Sequence, residues 1–134
     1  MKTIKKTSGF FIVEILIVLV IVGILVAALL PNLATYTNRA KFVDVINAAG
    51  AVRHSVDACF TQIGTVTGCS SGAYGIPNTP GAAGNFSSYT VTNGVINATS
   101  TAALGSYTYV LTPTATNNQL TWAVSGTCSG AGLC

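Results

Sequence analysis

Glu14 is the residue whose type and position most demand a chemical explanation. It is the single charge in a run of 21 residues, Phe10 to Leu30, that is otherwise apolar. Burying a carboxylate this far into a membrane-length apolar segment is expensive, so such a group is retained for function. The plainer reading is a carboxylate near the end of a span that reaches headgroup water. That reading leaves its surroundings unexplained, because Lys5, Lys6 and Gly9 stand directly upstream and the apolar run continues unbroken downstream. The other reactive side chains offer little chemistry. His54 is the only histidine and belongs on an exposed helix face. No Ser-His-Asp, Cys-His or Glu-Glu arrangement forms in a chain with three acidic residues. Cys59, Cys69, Cys128 and Cys134 lack a CxxC spacing or a neighbouring histidine, so they do not read as a metal site. Neither a metal nor another cofactor is called for, and the chain does not read as an enzyme.

The elements that must position Glu14 follow from charge and hydropathy. The chain has 134 residues, half of them apolar and 7% charged, against about 25% charged in ordinary soluble domains. The 21-residue run spans about 31 Å as a helix, enough to cross a bilayer core. Lys2, Lys5 and Lys6 supply half of the six basic side chains. Beyond residue 9 the side chains balance, with Arg39, Lys41 and Arg53 against Glu14, Asp44 and Asp57. This is a neutral protein with a basic leader, not a nucleic-acid binder. DNA recognition calls for clustered Lys and Arg on the outer part, and none follows Arg53. Lysines before an apolar span hold that end in the cytoplasm, which puts the remainder beyond the inner membrane. All four cysteines lie in that remainder, where two disulfides can form in any of three connectivities. Ala27 and Ala28 make a poor cleavage neighbourhood at the far end of the run, whereas a cut after Gly9 keeps the run in the mature chain.

Periodicity predicts a helix from Phe10 to about Cys59. Its second half carries an apolar stripe of Phe42, Val45, Ala49, Val52, Val56 and Cys59 at steps of three and four. Arg53 and Asp57 stand at i, i+4 and pair weakly. Gly23 and Pro31 interrupt the pattern, and Pro31 predicts a kink or local weakness. Residues 60–84 read as an irregular, glycine- and proline-rich loop. Alternation then gives strands at Phe86–Val91 and Val95–Thr99 around an Asn93-Gly94 turn. Two more strands, Tyr107–Thr112 and Gln119–Val124, flank a loop containing Pro113, Asn117 and Asn118. The fold expected is α+β: a long N-terminal helix packed on a four-stranded antiparallel sheet, with disulfide-bonded loops. Trp122 should pack between sheet and helix. Asn85-Phe86-Ser87 and Asn97-Ala98-Thr99 match the N-glycosylation pattern, for which chance is the better account.

The N-terminal constellation resembles the type IV prepilins: a short basic leader, then Gly9, Phe10, the apolar Phe11-Ile12-Val13, and Glu14. Gly23 and Pro31 also fall where pilins carry helix-weakening residues. The likeness extends through Cys59, Cys69, Gly75-Ile76-Pro77 and Leu120-Thr121-Trp122 to Cys128 and Cys134, and the nine-residue leader with Phe10 looks type IVa-like. The resemblance implies cleavage by a prepilin peptidase between Gly9 and Phe10 and N-methylation of Phe10. It also implies a wait in the bacterial inner membrane and assembly into a homo-oligomeric helical filament, the extracellular pilus. A freed Phe10 amine is a cation at neutral pH, so Glu14 of one copy can face Phe10 of the next. Losing one member of such a pair is costly, and the pair therefore sets register.

On this reading residues 1–9 are the leader, 10–30 the membrane and filament-core half of the helix, and 31–59 its amphipathic half. Residues 60–134 form the outer domain, with a loop at 60–84, the sheet at 85–125 and a C-terminal loop at 126–134. Short loops favour Cys59 with Cys69 and Cys128 with Cys134, the second loop pinning the C-terminus against the sheet edge. Partners are further copies, the peptidase and assembly machinery, and host or surface receptors for adhesion or twitching motility. The competing readings are a minor or competence pilin, a type II secretion pseudopilin, and, in a different class, a single-span membrane-anchored binding module.

Overall fold

The computed structural model describes the backbone of residues 2–134 and the side chains of residues 9–134. The side chains of the leader lysines Lys2, Lys5 and Lys6 therefore lie outside the described residues. The first element is the helix α1, Lys2–Ile63. It begins before Phe10 and runs four residues beyond Cys59. Its end is set by Gly64, whose φ of +74° closes the last turn while its N–H bonds the Phe60 carbonyl at 2.8 Å. Glycine adopts that left-handed conformation without a Cβ clash. Pro31 lies inside α1, with helix on both sides of it.

The chain divides into two units, residues 1–36 and 37–134. In the first, every described side chain is exposed. In the second, the stripe Phe42, Val45, Ala49, Val52, Val56 and Cys59 is buried to 3% exposure or less. It packs into one core with Ile76, Phe86, Tyr89, Val91, Ile96, Ala98 and Leu111. The steps of three and four place these helix residues on one face, and a single sheet face receives them. Phe42 meets the Tyr109 ring edge-on, with centroids 6.4 Å apart.

That sheet is a four-stranded antiparallel meander in the order β1-β2-β3-β4. Its strands are β1 (Phe86–Thr92), β2 (Val95–Ser100), β3 (Thr108–Thr116) and β4 (Gln119–Ser125). Asn93 and Gly94 both take positive φ and join Thr92 to Val95 in a two-residue turn, the geometry that matches strand twist. A second such turn is made by Asn117 and Asn118, with φ of 51° and 61°, instead of the longer loop expected from Pro113 onward. Pro113 sits within β3, opposite Trp122. It is tolerated because the pairing of β3 with β2 ends at Leu111, so Pro113 has no ladder to break on that side.

The segment after α1 is more ordered than its composition suggested. It runs along the outer edge of β1 and satisfies that edge with hydroxyls and backbone. Ser71 N–H bonds the Val91 carbonyl, Ser71 Oγ accepts from Val91 N–H at 3.0 Å, and Thr79 Oγ1 donates to the Tyr89 carbonyl. Disulfide Cys59–Cys69 ties the segment to α1. The second disulfide joins Cys128, within the short helix α2, Thr127–Gly130, to Cys134. The C-terminal loop is not pinned to the sheet edge. Thr127 binds Thr108 on the inner strand β3, and the Gly132 carbonyl accepts from Arg39 of α1.

Because the helix stripe forms half of a thin core, truncating it should be severe. Phe42→Ala is expected to lower unfolding stability by about 3–5 kcal/mol, read by urea titration of the detergent-solubilised protein. Val43→Ala, on the exposed face, should change it by less than about 0.5 kcal/mol.

Candidate functional site

Two sets of residues on α1 stand out in the structure. The first is the apolar span. From Phe10 to Leu30 it is exposed on every side, with Phe10 at 72% and Leu30 at 59% exposure. Val13, Leu16, Ile17, Val20 and Ile21 line one continuous apolar strip. Length and composition suffice for the helix to cross a membrane. A helix that is apolar all round is a segment for lipid or for other helices, since water is a poor solvent for every face. Glu14 is exposed within it and has no ion-pair or hydrogen-bond partner among the described residues. Gly23 and Pro31 lie further along the same helix, both exposed. The Gly9–Phe10 bond lies in continuous helix.

The second set anchors the outer domain to α1. Arg39 Nε donates to the Gly132 carbonyl at 3.1 Å, which fixes the C-terminal disulfide loop on the helix. Asp44 Oδ2 accepts from the Asn85 backbone N–H at 3.0 Å and from the Asn85 side-chain amide at 2.9 Å. Those two donors, the backbone one first, hold the Asp44 carboxyl below its ordinary 3.8. Asn85 is the sequence's first glycosylation-pattern asparagine, and the amide nitrogen that a glycan would occupy is engaged here. At the far end Trp122 Nε1 donates to Asp57 Oδ1 at 3.2 Å, with the Arg53 guanidinium 5.4 Å from the indole centroid. Trp122 thus bridges sheet and helix. Arg53 and Asp57 approach to only 4.0 Å at an exposed i, i+4 position, a contact worth a few tenths of a kcal/mol at most.

Asp44 and Asn85 escape a reading of the sequence because no local spacing joins residues 41 positions apart. The Tyr89 hydroxyl was equally hidden. It donates to the Pro77 and Asn78 carbonyls, and burial pushes it above the ordinary phenol value. His54 is exposed on α1. Among the described residues no three His, Cys, Asp or Glu side chains gather as metal ligands would.

No protein-family model matches the chain. The type IV pilus subunit protein TapA of Aeromonas hydrophila is 37% identical over 141 residues, covering 97% of this chain and 99% of TapA. The chain belongs to the type IV pilin family. The prepilin peptidase-dependent protein D of Escherichia coli strain K12 is 30% identical over 108 residues, 81% of this pilin and 73% of that protein. Among solved structures, the solution structure of the major type IV pilin PpdD from enterohemorrhagic Escherichia coli superposes with a TM-score of 0.57. It is 26% identical and covers 68% of this pilin and 70% of that chain. The pilin's role is accordingly structural rather than enzymatic, and its apolar helix and family membership go with membrane association and pilus assembly.

The Asp44 clamp gives a pH prediction. A carboxyl whose folded pKa is lowered adds stability that is present above its unfolded value and lost as pH falls through the folded one. Wild-type melting temperature should therefore drop on acidification below about pH 4, the ordinary aspartate range. Asp44→Ala should start lower at neutral pH and show a shallower acid limb, as followed by circular dichroism.

Proposed function

We propose that this pilin is the repeating structural subunit of a type IV pilus, the major pilin of its filament. It is made as a membrane precursor, cut by a prepilin peptidase between Gly9 and Phe10, and N-methylated on Phe10. The observation that carries this reading is Glu14, the one charge in an apolar helix exposed on every side, placed just beyond Gly9 and Phe10. An apolar surface of that extent has two compatible environments, bilayer and helix bundle, and the pilin occupies them in turn. In the precursor, lipid covers residues 10–30 and the outer domain lies beyond the inner membrane. In the filament, other copies of the same helix replace lipid.

Within the bundle the Phe10 amine and the Glu14 carboxylate are both desolvated. The attraction of the pair in a low-dielectric core roughly offsets that desolvation, while either charge alone is penalised by about 3–5 kcal/mol. Only the axial offset that brings Glu14 of one copy to Phe10 of the next avoids the penalty, so the pair acts as a register mark. Gly23 and Pro31 supply the least helix-prone stretch of α1, by about 1 and 3 kcal/mol relative to alanine. The stretch between them is where the helix lengthens or unwinds as copies pack.

The outer domain meets the surroundings, and adhesion or motility falls to the filament as a whole. A competence role in which this chain itself grips DNA is disfavoured, since no lysine or arginine follows Arg53. A membrane-anchored binding module that never polymerises would have no use for Glu14.

Two measurements check the proposal. Intact mass of sheared surface filaments should correspond to a chain starting at Phe10 plus one methyl group; a subunit retaining Met1 or starting after Ala28 contradicts it. Glu14→Ala should leave export and cleavage largely intact while filaments are lost or severely reduced, scored by electron microscopy beside membrane fractionation. Wild-type piliation in that variant contradicts the pairing role.

A further inference from the structure

Asn93-Gly94 is the sequence's single Asn-Gly pair, and chemically its most labile dipeptide. A glycine nitrogen is the least hindered nucleophile that a backbone offers to a preceding asparagine amide. The fold nevertheless requires both residues. Asn93 has a φ of 48° and Gly94 a φ of 83°, a turn open to few other side chains. A Cβ on Gly94 would also stand 3.0 Å from Val66 and 3.0 Å from Pro113.

This turn is held from outside by the segment that follows α1. Gly68 N–H donates to Asn93 Oδ1 at 3.0 Å, and Asn93 N–H donates to Ser70 Oγ at 3.0 Å. Gly94 N–H donates to the Cys69 carbonyl at 2.7 Å. The three bonds fix the groups that would have to move for attack: the side-chain carbonyl, the Asn93 backbone and the nucleophilic nitrogen. The Gly68 bond alone would polarise the Asn93 amide and favour attack. Gly94 is buried, however, and its proton is engaged by Cys69. Cys69 is in turn tied to α1 by its disulfide to Cys59, both cysteines being fully buried. The second asparagine turn differs. Among the described residues no other segment bonds the Asn117 or Asn118 side chain. The residues after them, Asn118 and Gln119, carry side chains that hinder their nitrogens. Only the labile turn is clamped.

We propose that Asn93 is a conditional deamidation site, kept intact by the Cys59–Cys69 clamp and committed to modification when the clamp is lost. Once released, the Gly94 nitrogen bonds to Asn93 Cγ and gives its proton through solvent to Nδ2, which leaves as ammonia. Water then opens the succinimide at either carbonyl, yielding aspartate or isoaspartate, with no change of oxidation state. Aspartate places a carboxylate in a stretch with no Asp, Glu, Lys or Arg after Asp57. Isoaspartate adds a methylene to the backbone between Thr92 and Val95, which pair across the turn. A copy whose first disulfide fails to form is thereby altered irreversibly at its hairpin. The inference depends on the fold alone and stands apart from the filament reading.

The full-length, detergent-solubilised protein is incubated at mildly alkaline pH. Asn93 deamidation is followed by peptide mass mapping, and circular dichroism records the fold. Wild type is compared with Cys59→Ser/Cys69→Ser, Cys128→Ser/Cys134→Ser, Ser70→Ala and a free peptide of residues 90–97. Wild type should deamidate more slowly than the peptide by about tenfold or more. Cys59→Ser/Cys69→Ser should exceed the wild-type rate by about tenfold or more, and Ser70→Ala by about two- to tenfold. Cys128→Ser/Cys134→Ser should keep the wild-type rate. Wild type reacting as fast as the peptide, Cys59→Ser/Cys69→Ser or Ser70→Ala reacting no faster than wild type, or equal acceleration by both disulfide variants each overturns the assignment. If Cys59→Ser/Cys69→Ser loses its fold, Ser70→Ala, which keeps both disulfides, decides together with the peptide comparison.

Discussion

One helix must satisfy two different solvents, and the rest of the molecule follows from how it does so. Between Phe10 and Leu30 α1 is apolar on all sides, and no sheet of this size could cover it. Between Phe42 and Phe60 its buried residues form one stripe, covered by one sheet face together with Ile76, Leu104 and Leu133. The four strands bury little without the helix, because their opposite face is mostly threonine, serine and asparagine. The helix contributes Phe42, Val45, Ala49, Val52, Val56 and Cys59, which makes the outer domain inseparable from the helix that also carries the apolar span.

Around that shared core the domain is fastened without an ion pair between the helix and the rest of the domain among the described residues. Arg39, Asp44 and Asp57, all on α1, each reach a backbone, amide or indole group of the outer domain, and none reaches an opposite charge there. The other fastenings are hydroxyls and two disulfides. Ser70, Ser71, Thr79 and the Tyr89 hydroxyl convert a glycine-rich segment into a cover for β1. Hydrogen bonds between neutral groups contribute about 0.5–1.5 kcal/mol each, and they are insensitive to salt. Cys59–Cys69 closes the segment where α1 ends, and Cys128–Cys134 closes the loop that Arg39 holds.

Two properties of the surface are therefore linked. The charged side chains that fasten the domain all lie on α1, and a sheet without charged side chains lacks the usual guard for an exposed strand edge. β1 avoids the difficulty because the segment after α1 lies beside it. β4, last in the meander, is followed by a chain that turns inward to Thr108 on β3 and leaves the edge uncovered.

Much of this was legible in the sequence, for reasons that are local. The apolar run with Glu14, the stripe at steps of three and four, and the Asn93-Gly94 turn are patterns of neighbours whose period is fixed by backbone geometry. The end of the helix was not: it lies at Ile63, beyond the expected Cys59, because an apolar stripe marks which face is buried and not where backbone bonding stops. The place of Pro113 was decided by the tertiary structure: whether a proline breaks a strand depends on whether a partner lies on its N–H side, and β2 stops short of it. The Asn117-Asn118 turn, the Asp44–Asn85 clamp, the seat of Gly132 on Arg39 and the sealing of β1 belong with it. Composition and period set which face of an element is apolar. Which polar groups meet across distant segments is settled only when the faces have packed, because each such bond depends on a distance that the chain between its partners does not fix.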